Sequence, residues 1–160
     1  MLSQHFPNNQ YVLDTYIIFP LVFCFVCFLP IVRFSILLQE LHMTNTWLTR
    51  LPPSIRNLTK LKILEVETSH ISFLPDTVFQ GMNQLVDLKI ADSKINSIST
   101  GLLSGLRGLK RLSLYKNNIT TIQRVSFTHW HNIQKISFAS VCFPILNLSG
   151  HKPPELIILE

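Results

Sequence analysis

LKILEVETSHISFLP, the stretch from Leu61 to Pro75, decides the fold, because its spelling returns twice at a spacing of 24 residues. The second copy begins at Leu85 and the third at Leu109, and all three carry an aliphatic residue at positions 1, 4, 6, 11 and 14. A fixed period in this range is typical of stacked repeat units. The repeat therefore predicts a solenoid.

Within each unit, the apolar positions divide between a strand and a return arm. Side chains alternate along a strand, so positions 4 and 6 point to one side and positions 3, 5 and 7 to the other. The apolar positions 11, 14, 19 and 22 come after the chain has turned back, and each unit buries them against its neighbours. At about 0.8 kcal/mol per buried methylene group, these aliphatic residues supply the main stabilising contribution.

Weaker copies flank the three clear ones. A 23-residue unit begins at Leu38, and a fifth unit begins at Ile133 and loses the pattern at Pro144. The sequence predicts about five units over residues 38–150, followed by the truncated start of another at residues 151–160. Repeat arrays close their exposed ends with polar caps, and neither end shows one, so we expect a fragment of a longer repeat protein.

The N-terminal part has a different composition. Residues 1–15 are polar, whereas Tyr16–Val32 carries no charge, and we predict a transmembrane or signal-anchor helix over residues 16–37. Its length suits a hydrocarbon layer of about 30 Å. A cleaved signal peptide and a core helix of a soluble protein are the alternatives, although the stretch lacks the positive start and small-residue cleavage site of a signal peptide.

Composition argues against a catalytic function and against nucleic-acid binding. The net charge of +5 is scattered along the chain, whereas nucleic-acid binding requires a basic stripe. The cysteines, Cys24, Cys27 and Cys142, are odd in number and have no histidine partners nearby, which disfavours a disulfide framework or a zinc site. His129 and His131 lack further ligands, and there is no nucleophile motif or phosphate loop. We expect no enzyme, no cofactor and no metal.

The units resemble leucine-rich repeats over about Leu38 to Phe143. The resemblance implies an α/β solenoid: a curved array with a short-stranded parallel sheet on its concave face and irregular or short helical segments on its convex face. It further implies a protein ligand on the concave face. The family favours asparagine at position 9, where this chain has Thr46, Ser69, Ser93, Asn117 and Val141. The 23-residue first unit resembles the cytosolic class of the same family.

Three N-glycosylation sequons bear on the compartment. They begin at Asn57, Asn118 and Asn147, and such sites are used in chains that enter the secretory route. They favour repeats that are extracellular or lumenal.

The strand positions that face away from the core predict the binding surface. Acidic residues dominate them in the first three units and basic residues in the last two, which would steer and orient a partner of opposite charge order. We expect Tyr115 to be an energetic anchor. The predicted ligand-binding residues are Glu40, His42, Glu65, Glu67, Asp87, Lys89, Arg111, Tyr115, Lys116 and Lys135.

These observations predict a protein recognition module of a membrane-associated leucine-rich repeat protein. The expected partners are a protein ligand and, through residues 16–38, a membrane, with no nucleic acid. Two alternatives remain open: a cytosolic repeat scaffold or signalling adaptor, and the substrate-selecting repeats of an enzyme whose catalytic domain lies outside this chain.

Overall fold

A nine-stranded sheet runs through the chain. The computed structural model describes residues 5–6, 10–13, 16–20, 37–44, 46–99, 101–122, 132–139 and 155–159. Its strands are β1 (His5–Phe6), β2 (Gln10–Leu13), β3 (Tyr16–Pro20), β4 (Glu40–Thr44), β5 (Ile63–Glu67), β6 (Asp87–Ala91), β7 (Ser97–Ile98), β8 (Arg111–Leu114), β9 (Thr121–Ile122), β10 (Lys135–Ala139) and β11 (Glu155–Leu159).

The order of strands in the large sheet follows the order of the chain. It is β1-β2-β3-β4-β5-β6-β8-β10-β11, and the strands from β3 onward are parallel. Strands β1, β2 and β3 are antiparallel to one another, while β7 and β9 form a separate parallel pair. Consecutive parallel neighbours of this kind are the architecture of a solenoid, which confirms the prediction from the repeat.

The register of the sheet places equivalent repeat positions side by side. Glu40 lies opposite Ile63, which lies opposite Asp87, followed by Arg111 and Lys135. All five occupy position 3 of their units. Because a slip of one residue would turn every core side chain to the other face, this register determines which residues the sheet presents outward.

The core fills the space between the sheet and the return arms. Positions 4 and 6 are buried, as in Leu64 and Val66, and so are position 11, as in Ile71, and position 19, as in Phe79. The strands β4 and β5 alternate between buried and half-buried residues along their length. The alternation confirms that one face of the sheet is packed and the other is open.

The return arms consist of turns, and the α-helical part of the expected α/β solenoid is not found among the described residues. The one helix in that part of the chain is a 3-10 helix over Pro53–Asn57, which has a proline in its first turn and buries Ile55. Other arms are built from hydrogen bonds three residues apart, such as Val78 N–H to Pro75 O at 3.0 Å. Hydrogen bonds of this spacing are typical of turns and 3-10 helices.

The arm of the third unit packs closely on the arm before it. A Cβ atom on Gly105 would lie 2.8 Å from the carbonyl oxygen of Phe79 and 3.0 Å from the Cα atom of Gln80. Both are backbone atoms that cannot move aside easily. Glycine is therefore required here for close stacking.

The predicted membrane helix is wrong at its beginning. Tyr16–Pro20 forms β3, paired in parallel with β4, because its aromatic and β-branched residues suit a strand and β4 offers a free edge to it. The remainder of the predicted segment, up to residue 36, lies outside the described residues. No helix in the described part of the chain has the length and apolar character needed to cross a membrane.

Candidate binding face

Half-buried side chains line the open side of the large sheet, which we call the outer sheet face and define by positions 3, 5, 7 and 8 of each unit. A groove of about 640 Å³ lies on it. Seven of the ten predicted ligand-binding residues line this groove: His42, Glu65, Asp87, Lys89, Arg111, Tyr115 and Lys135. The other three, Glu40, Glu67 and Lys116, do not line it.

A network of charges at position 5 crosses the first three units. His42 Nδ1 lies 2.5 Å from Glu65 Oε2, and His42 Nε2 lies 3.6 Å from Glu40 Oε2. Lys89 Nζ lies 3.0 Å from the other oxygen of Glu65 and also contacts Glu67. The three carboxylates therefore have cationic or imidazole partners within the sheet itself.

The network fixes the ionisation of its central members. Burial raises the pKa of Glu65, but hydrogen bonds from Lys89 and His42 outweigh it and leave that pKa below the ordinary value of 4.5. Burial likewise opposes the charge of Lys89, and its contacts with Glu67 and Glu65 nevertheless raise the pKa of Lys89. Both residues are therefore charged at neutral pH.

A second ion pair joins the third and fourth units at position 3. Arg111 donates from Nε and Nη2 to the two carboxylate oxygens of Asp87. These hydrogen bonds raise the pKa of Arg111. The Arg111 side chain still exposes 57% of its surface, while that of Asp87 exposes 18%. Asp87 is therefore covered by the arginine, whereas the arginine remains accessible.

Two lysine side chains lie over the Tyr115 ring. Lys89 Nζ lies 5.6 Å and Lys116 Nζ lies 6.0 Å from the centroid of its ring. Contacts of this length fall within the range of cation–π attraction. They hold a half-buried aromatic ring against the sheet, as the role of an anchor requires.

Position 8, where each strand ends, has left-handed backbone geometry. Thr68, Asp92 and Lys116 have φ values of 50°, 49° and 54°. Asparagine, aspartate and glycine tolerate this region best, so Thr68 and Lys116 adopt it at some cost in free energy. The repeat of the geometry every 24 residues shows that the turn is set by the unit.

Position 9 ties neighbouring coils together, and its one described asparagine does so most fully. Asn117 Nδ2 donates to Ile90 O at 2.7 Å and to Leu114 O at 3.0 Å, and Asn117 Oδ1 accepts from Ile95 N–H at 3.2 Å. Ser69 Oγ and Ser93 Oγ lie 2.7 Å apart, and Ser93 Oγ is also 3.1 Å from Ala91 O, to which it donates. The contact between the two serines was not predicted from the sequence.

One exposed pair was not anticipated from the sequence. Trp47 stacks on His70 with 5.4 Å between ring centroids and 8° between ring planes. Both occupy position 10 of consecutive units, and that shared position was the signal that could have indicated contact. Trp47 and nearby Phe73 expose 70% and 57% of their surfaces.

The sequons lie off the outer sheet face where they are described. Asn57 ends the 3-10 helix and is exposed, and Asn118 is exposed at position 10. Several residues named above lie outside the described residues: Asn147, His129, His131, Val141 and the three cysteines. Within the described ranges, no cluster of three or more His, Cys, Asp or Glu side chains could hold a metal ion.

Comparison with known proteins identifies the kind of repeat. The family model described as "Leucine rich repeat" matches residues 59–114 and 84–140. Leucine-rich repeat-containing protein 3B of Danio rerio is 32% identical over 81 residues, which cover 50% of this chain and 31% of that protein. Toll-like receptor 5 of Homo sapiens is 33% identical over 106 residues, covering 64% of this chain and 12% of the receptor.

A solved structure shares the fold. The crystal structure of the TLR13–ssRNA13 complex superposes with a TM-score of 0.60 at 31% identity, and the match covers 64% of this chain and 14% of that one. The chain thus spans less than a third of the length of each of these similar proteins.

Proposed function

Because the chain belongs to the leucine-rich repeat family, we propose that it is a protein recognition module and that the outer sheet face is its binding surface. The observation that carries the proposal is the groove of about 640 Å³ on that face. It is open, lined by charged and aromatic side chains, and supported from below by a packed core.

Rigid support makes this face suited to recognition. The half-buried residues of β5 and β6 alternate with buried ones, so the backbone beneath the groove is held in place by the core. A surface that is ordered before binding loses less conformational freedom when a partner docks. Tyr115, held by two lysines, is the side chain expected to contribute most.

A peptide selection tests the proposal. Random twelve-residue peptides displayed on phage would be selected for binding to the full chain, which is kept in a neutral detergent. The affinity of the recovered peptides would then be measured for the wild type and for variants. We expect Tyr115→Ala to weaken their binding by about tenfold or more. The matched control is Phe73→Ala, which removes an exposed aromatic ring outside the groove and should leave binding unchanged. Peptides whose affinity falls in Phe73→Ala but not in Tyr115→Ala would refute the proposal.

We further propose that the repeats are extracellular or lumenal. Asn57 and Asn118 are exposed and lie away from the groove, so glycans there would not block it. Synthesis in the presence of microsomes should give a product whose mass falls on glycosidase treatment, and this shift should shrink in Asn57→Gln and Asn118→Gln. A wild-type chain without any glycan would favour the cytosolic scaffold instead.

A further inference from the structure

Three carboxylates in the acidic part of the outer sheet face already contact neighbouring side chains. Glu65 contacts His42 and Lys89, Glu67 contacts Lys89, and Asp87 is covered by Arg111. A basic partner would have to compete with these side chains for the carboxylates. The order of charges along the chain therefore overstates the attraction of this face for a basic partner.

In the fourth and fifth units, the outer sheet face carries more cationic than acidic side chains. Lys116 and Lys135 are exposed, and no ion pair to either of them is found within the described ranges of the chain. Arg111 uses Nε and Nη2 on Asp87 but exposes 57% of its side chain. Three cationic groups thus remain accessible beside a single paired carboxylate.

Two of these groups, Arg111 and Lys135, border a shallow hollow of the groove. Ser113 and Ser137 are direct neighbours across β8 and β10, and so are Arg111 and Lys135. All four line the groove. Alternate residues on one face of a strand are roughly 6.6 Å apart, so the small serines form a floor between the Arg111 and Lys135 side and the Tyr115 side.

We propose that this hollow, defined by Arg111, Ser113, Tyr115, Lys135 and Ser137, with Lys116 over the Tyr115 ring beside it, binds an extended acidic segment of the protein partner. The inference rests on the proposed function and names the partner's chemistry. Carboxylates of the segment lie over the serine floor, where Arg111 and Lys135 supply N–H donors from one side. Charge complementarity of this kind gives specificity and a fast association rate.

A single-stranded nucleic acid is the less favourable occupant. Such ligands are held by series of aromatic rings on which successive bases stack. Tyr115 is the one Phe, Tyr or Trp side chain among the described residues that line the groove. An acidic peptide requires the cations and hydroxyl groups that are present, without further rings.

The test uses a fluorescein-labelled hexaglutamate peptide and the full chain in neutral detergent, followed by fluorescence anisotropy. The variant Lys116→Asn, Lys135→Gln removes two charges, and asparagine tolerates the left-handed backbone at position 116. We expect about tenfold weaker binding, equivalent to about 1.4 kcal/mol. The control variant Lys62→Asn, Lys110→Gln removes two exposed charges that neither line the groove nor lie over the Tyr115 ring and should bind like the wild type.

Several results would overturn the acidic-segment assignment. Equal losses in both double variants would mean non-specific attraction to net charge. Tighter binding of hexalysine than of hexaglutamate would reverse the assignment, and binding of a labelled uridine dodecamer in place of hexaglutamate would point to nucleic acid. If hexaglutamate fails while phage-selected peptides without acidic residues still depend on Tyr115, only the inference about acidity fails and the proposed function stands.

Discussion

Arg111 donates two hydrogen bonds to the carboxylate of Asp87, its direct neighbour across strands β6 and β8. The two residues are 24 positions apart and share position 3 of consecutive units. Their pairing neutralises an acidic residue that would otherwise face a partner. The charge that the outer sheet face presents is therefore set by contacts between units and differs from the charge order of the sequence.

Releasing Arg111 should strengthen binding of an acidic ligand. In Asp87→Asn the guanidinium loses its charged partner and faces the groove alone, so we expect hexaglutamate to bind roughly two- to fivefold more tightly, as removal of an exposed ion pair implies. Asp76→Asn, which changes the same charge on a residue that does not line the groove, is the control. An unchanged affinity in Asp87→Asn would show that Arg111 does not contact the ligand.

Acid should weaken the fold through Glu65. Its pKa in the folded chain lies below the ordinary value of 4.5, so its contribution to stability is fully present above pH 4.5 and is lost as the pH falls through the folded-state pKa. The wild type should therefore lose more stability than Glu65→Gln between pH 6 and pH 3, as measured by urea unfolding. Parallel losses in the two proteins would mean that the contacts to Lys89 and His42 do not stabilise the carboxylate.

Asn117 should be far more sensitive to substitution than its neighbour. Asn117→Ala removes bonds to Ile90 O and Ile95 N–H and leaves these backbone groups without that partner, at a cost of about 1–3 kcal/mol in the free energy of unfolding. Asn118→Ala, at an exposed position, should cost less than about 0.5 kcal/mol. Both would be measured by chemical unfolding of unglycosylated protein, and similar costs would rule out a special role for position 9.

Two glycines of the third unit should also differ. An added methyl group in Gly105→Ala meets the backbone of Phe79 and Gln80, whereas in Gly101→Ala it meets the side chain of Asp76. A side chain can rotate away more easily than a backbone can shift, so we expect a loss of about 1–3 kcal/mol for Gly105→Ala and a smaller loss for Gly101→Ala. Thermal melting of the two variants compares them directly, and an equal loss would contradict the close approach of the two arms.

The period of the repeat predicted the solenoid and the composition of its faces. Once Leu61, Leu85 and Leu109 are aligned, Asp87 and Arg111 must be neighbours, and the structure places them so. The alignment makes the two side chains neighbours, but only the structure establishes that they form an ion pair. The contact between Trp47 and His70 has the same origin, since both lie at position 10.

What the sequence did not predict depends on competing local preferences. Tyr16–Pro20 is apolar enough for a membrane helix, yet its aromatic and β-branched residues also suit a strand, and pairing with β4 decided between them. The resemblance left the return arms as irregular or short helical segments, and within the described ranges they are turns and one 3-10 helix. The ligand-binding roles of the outer residues are still predictions, because spacing determines where a residue lies and not what it binds.

Hydrogen exchange of the full chain with and without its best phage-selected peptide tests the central claim most directly. If the outer sheet face is the recognition surface, the peptide should slow exchange in the segments Arg111–Leu114 and Lys135–Ala139, whose backbone underlies the groove, and leave the return arm over residues 75–84 unchanged. Slowed exchange in that arm, with none in β8 or β10, would place binding elsewhere and contradict the account.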